Sequence, residues 1–126
     1  MNDEAELIHR YNRADAIADG VLVDVTSTAK EAGIKYPIAV THAVFERYVR
    51  VPPGVEAQDE RGRLWDVLWM LNFAISRHPE AEGNTLLYTV FVRNDNTELK
   101  PVKLKAIVHP GDEGEPVITV LLPNED

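Results

Sequence analysis

"LLYTVFVRNDNTELKPVKLKAIVHPGDEGEPVITVLLP", residues 86–123, decides the fold of this chain. Upstream, apolar residues recur every three or four positions; from Leu86 onward the period falls to two. Leu86 to Arg93 is rich in β-branched and aromatic side chains, which suit a pleated surface. "NDNTELK" is a turn. In "PVKLKAIVH" Val102, Leu104, Ala106 and Val108 fall on one face, with Lys103 and Lys105 on the other. "PGDEGEP" supplies a second turn and "VITVLLP" a last strand. Short connections between successive strands predict an antiparallel meander.

Working back from Leu86, "RLWDVLWMLNFAIS" carries the strongest helical pattern. Leu64, Leu68, Leu71 and Ile75 form one stripe, and Trp65, Trp69 and Phe73 a second beside it. Val67, Met70 and Ala74 widen the apolar surface, leaving Asp66, Asn72 and Ser76 polar. A helix this apolar must be covered on more than one side, so it is expected to be the most buried element or part of a homodimer interface. "HAVFERYVR" predicts another helix, with Val44, Phe45, Tyr48 and Val49 as its stripe and Thr41 as N-cap. "RADAIADG" reads as a short helix with Ala14, Ile17 and Ala18 inward and Gly20 as its stop.

"TSTAKEAG" has capping-box spacing at Thr28 and Glu31, although Thr26 or Ser27 are alternative caps. "VLVDV" and "IKYPIAVT" read as extended, because Pro37 disfavours a helical Tyr36. "VPPGVEAQDERG" is a loop. Residues 1–12 are polar and expected to be flexible. The fold that emerges is a single α+β domain over residues 1–126. About three N-terminal helices pack on a C-terminal three-stranded antiparallel meander.

With 126 residues the chain is long enough for one core, and it contains no cysteine. Disulfides, thiolate metal sites and a cysteine nucleophile are thereby excluded. "MNDEAELIHRYNR" has no apolar signal-peptide region and no segment has the length of a membrane span, so a cytoplasmic protein is expected. The formal net charge of −8 disfavours direct binding to nucleic acid.

Catalytic patterns are weak. His109, Asp112, Glu113 and Glu115 crowd one strand connection, and a hard cation would accept such oxygens. A solvated turn set by Gly111 and Gly114 satisfies the same residues. His9, His42, His78 and His109 lack paired ligand spacing, and Ser27 and Ser76 lie in no nucleophile motif. Arg47, Arg50, Arg61 and Arg63 are candidates to receive an acidic group on a partner, or to pair with Asp59, Glu60 or Asp66. No cofactor is implied.

"AIADGVLVDVT", "AKEAG", "YPIAVT", "GRLWDVLWML" and "HPGDEGEPVITVLLPNED" together resemble a family of small uncharacterised bacterial proteins associated with plasmids, phages and other mobile elements. The resemblance runs from about Ala14 to the end and carries no catalytic residue with it. It implies a bacterial, cytoplasmic, accessory role; the missing cysteine, the scattered histidines and the lack of a nucleophile motif favour a protein that binds a protein partner, with inhibition of a host defence system as one such role. The alternative is a small metal-dependent or hydrolytic enzyme built on Asp24, Asp66, His109 and Asp112.

Overall fold

The computed structural model describes residues 12–77 and 83–125. The expectation of a flexible segment falls almost wholly outside that range, as do His9 and His78. In chain order the elements are α1 (Arg13–Ala18), β1 (Leu22–Asp24), α2 (Thr26–Glu31), β2 (Ile38–Thr41) and α3 (His42–Val44). A π-helical turn (Phe45–Val49) continues α3; α4 (Glu60–Arg77), β3 (Thr85–Val92), β4 (Lys100–Pro110) and β5 (Pro116–Leu121) follow.

The sheet corrects the sequence expectation. It is mixed and five-stranded, in the order β1-β2-β5-β4-β3, and β2 runs parallel to β5. The antiparallel pairs β3–β4 and β4–β5 exist, but β1 and β2 extend them beyond three strands. One long helix, α4, lies mid-chain, and the helical pieces before it are short. The physical reason lies in β5. Ile118, Val120 and Leu122 join the main core, while Val117 and Leu121 on the opposite face are buried as well. A strand apolar on both faces must be covered on both, which suits an inner strand, and β5 pairs with β2 on one edge and β4 on the other.

The alternation of the ladder explains the prolines. Val108 N–H donates to Asn84 O at 2.9 Å, so even-numbered residues of β3 and β4 exchange the hydrogen bonds between those strands. Odd-numbered residues of β4 then face β5. Pro110 lies opposite Pro116 at a position where the β4–β5 ladder needs no N–H, so neither proline interrupts it.

Helices α2 and α4, with the π-helical turn, cover the inner face around Ile38, Val40, Val90, Leu104, Ile118 and Val120. α4 buries Val67, Leu68 and Leu71 but leaves Trp69 and Phe73 half exposed, so it is not the most buried element; β2, with Ile38, Ala39 and Val40 wholly buried, is more so. Tyr88 of β3 donates its hydroxyl to Val67 O beneath α4, and burial raises its pKa.

Local corrections are small. α1 buries Ala16, whereas Ala14 and Ala18 are exposed. α2 begins at Thr26, with no side-chain cap from its preceding residue, and Asp24 accepts from Thr26 N–H and Oγ1–H. Thr41 caps α3 through Val44 N–H. The widened turn after it, closed by Arg50 N–H on Phe45 O, has no signature in the apolar period.

Candidate functional site

The β4–β5 hairpin carries the acidic cluster singled out in the sequence. Asp112, Glu113 and Glu115 are exposed. Asp112 nevertheless makes two defined bonds. Its Oδ1 accepts from Arg13 N–H at 2.7 Å and its Oδ2 from Ala14 N–H at 3.0 Å. It holds the open N-terminus of α1, where carboxylates are favoured by unsatisfied N–H groups. Asn12 supplies the conventional cap by accepting from Asp15 N–H. Gly114 has the positive φ of 83° expected of it. Gly111 does not; a Cβ there would lie 1.7 Å from Glu115 Oε1 and 2.9 Å from Val117 Cγ1, so space is what requires glycine.

Arg13 continues from this turn onto the outer sheet face. Its guanidinium donates to Thr119 Oγ1 and Ile118 O, each at 2.8 Å. Burial lowers its pKa, and Asp24, Asp112 and Glu115 oppose that shift. Thr119 Oγ1 also lies 2.8 Å from His109 Nε2, while His109 Nδ1 is 3.1 Å from Pro110 O. A carbonyl only accepts, so Nδ1 carries a proton and donates to Pro110 O, while Nε2 and the Thr119 hydroxyl share the second hydrogen bond. His109 is thus anchored to the sheet by Thr119 and Pro110. Among the described residues no three His, Asp or Glu side chains are placed to hold a metal ion.

The arginines separate. Arg50 pairs with Glu46 at 2.6 Å and Arg61 with Glu31 at 3.6 Å, both on the surface. Arg47 contributes its carbonyl to the network around Arg63, which is buried. Arg63 Nε donates to Tyr48 O, Nη1 to Arg93 O and Gln58 Oε1, and Nη2 to Asn94 Oδ1 and Arg47 O. Burial lowers its pKa, with Arg93 acting in the same direction. The fork takes up carbonyls left by the π-helical turn and the end of β3, so it has no donor to offer a ligand. Sequence reasoning could not find this, because Tyr48, Asn94 and Arg63 meet only through the tertiary fold.

The feature most open to a partner is the outer side of α4. Trp65 and Trp69 stack with ring centroids 5.7 Å apart, and Phe73 follows one turn later, with the Arg77 guanidinium 5.1 Å from its centroid. Trp69 and Phe73 are 50% and 49% exposed. Glu31, Asp59 and Asp66 line the depression beside Trp65 together with Arg61 and Arg63, so this flank of the ridge is polar and of mixed charge. The model of a family of unknown function (DUF6573) matches residues 1–126. The chain belongs to that family. No curated protein and no solved structure matches it. Among the described residues no helix is long and apolar enough to cross a membrane.

Proposed function

We propose that this member of the family works by binding a protein partner, which docks on the ridge Trp65–Trp69–Phe73. The observation that carries the reading is the half exposure of Trp69 and Phe73 on a helix whose opposite side is core. Large aromatic side chains serve as anchors at interfaces because they bury much area with few rotors. The net charge of −8 favours a partner with an apolar strip bordered by Lys or Arg. In the bacterial cytoplasm and mobile-element setting that the sequence resemblance implies, a host defence protein is the proposed target, inhibited by coverage of its surface.

The test is capture from a native host followed by titration of the purified partner against wild type, Trp69→Ser and Phe73→Ser. Loss of one such anchor is expected to weaken binding at least about tenfold, corresponding to roughly 1.4 kcal/mol. Added salt is expected to weaken it further. A partner that binds both variants as tightly as wild type refutes the ridge as its dock.

A further inference from the structure

The two edges of the sheet differ. β1 is three residues long, whereas β3 presents eight residues, Thr85–Val92, without one ionisable side chain other than the inward-facing Tyr88. Native edges are ordinarily blunted by charge, proline or brevity. Since even-numbered residues of β3 bond to β4, the N–H and C=O groups of Thr85, Leu87, Thr89 and Phe91 point away from the sheet. Their side chains stand on the outer face, where Leu87 is 59% and Phe91 56% exposed.

We propose that a second copy of this chain occupies that edge, β3 pairing antiparallel with β3 of its partner about a twofold axis at Thr89. In this register Leu87 lies opposite Phe91 of the second copy, Thr89 opposite Thr89, and Phe91 opposite Leu87. Each facing pair uses backbone groups that already point outward, so no existing bond breaks. Two apolar cross-strand pairs form on the outer face, the kind of contact that stabilises paired strands. The edge is neutral, so the charge of −8 on each copy does not concentrate where they meet. This self-association uses a surface other than the aromatic ridge and does not depend on it.

The chain lacks cysteine, so Thr89→Cys introduces one thiol. Across a hydrogen-bonded antiparallel pair the Cα atoms lie about 5.5 Å apart, within the range a disulfide spans. Light scattering at micromolar concentration is expected to give twice the mass of 14.1 kDa. Thr89→Cys is expected to cross-link on mild oxidation, while Thr97→Cys in the β3–β4 turn does not. Thr89→Pro removes an N–H that the monomer's ladder does not use, and is expected to give a monomer with native circular dichroism. Should that variant unfold, Leu87→Lys serves the same purpose on the outer face. A wild-type mass of 14.1 kDa overturns the proposal. So does a dimer that persists in a folded edge variant, or one abolished by Trp69→Ser with the edge intact.

Discussion

Arg63 makes the sharpest claim about stability. It is buried, and its donors reach Tyr48 O at 3.1 Å, Arg93 O at 2.8 Å, Gln58 Oε1 at 3.0 Å and Asn94 Oδ1 at 2.6 Å. Replacement by Met keeps most of the stem's packing and removes every donor. The carbonyls of Tyr48 and Arg93 then lose a partner, each at about 1–3 kcal/mol when water cannot replace it. Release of the guanidinium from its desolvated position offsets part of that sum. The expected loss is about 3–5 kcal/mol, a large share of the roughly 5–15 kcal/mol that stabilises a domain. Arg63→Lys keeps the charge but not the planar fork, so it is expected to recover only part of the loss. Urea titration of the three proteins, followed by circular dichroism, measures both differences. A loss below about 1 kcal/mol for Arg63→Met, or full recovery by Lys, would refute the view that this side chain joins the π-helical turn to the end of β3.

The other expectations follow from single contacts. Leu68→Ala, at a fully buried position of α4, is expected to cost about 2–5 kcal/mol in the same titration; a loss below about 1 kcal/mol would make α4 peripheral. Asp112→Ala removes the bonds to Arg13 and Ala14 and is expected to cost about 0.5–2 kcal/mol, read as faster hydrogen exchange confined to α1; unchanged protection there refutes the tie. Asp95 is held below its ordinary value of 3.8, first by the Thr97 hydroxyl and then by the N–H groups of Thr97 and Glu98. A depressed folded pKa stabilises the fold above the unfolded value, and that contribution fades as the pH falls through the folded one. Thr97→Val is expected to move the Asp95 NMR titration up toward 3.8, and an unmoved titration would sink this account.

Much of the local structure was legible. The period change at Leu86 marks β3 and β4, the Lys103–Lys105 alternation orients β4, and Thr41 caps α3 as its spacing implies. These signals depend on neighbours within a few residues, which is why sequence carries them. The π-helical turn left none, since Val44, Phe45, Tyr48 and Val49 share a face in either winding. Proximity in sequence did not make Arg47, Arg50, Arg61 and Arg63 a cluster. Arg50 and Arg61 pair with Glu46 and Glu31 instead of Asp59, Glu60 or Asp66, and Arg63 turns inward to carbonyls that the chain brings from 15 and 30 residues away.

The sheet's size was present in "VITVLL" but needed a different physical question. A strand at the edge of a three-stranded meander, with helices on one face, should alternate; β4 does, and β5 does not. Val117 and Leu121 are buried on the face opposite α2 and α4, where Arg13 of α1 bonds to Thr119 and Lys105 bonds to the carbonyls of Pro123 and Glu125. An apolar run without alternation therefore marks a strand covered on both faces, as the middle of a sheet is, and leaves its second edge to another extended segment. "IAVT" is the second such run in the chain, buried from Ile38 to Val40, and it pairs with β5 from Ile38–Ile118 to Val40–Val120. With β2 and β1 filling that side, β3 becomes the long edge of the sheet. The strand order thus determines which backbone groups are left for a second chain, and in doing so separates that edge from the aromatic ridge on α4.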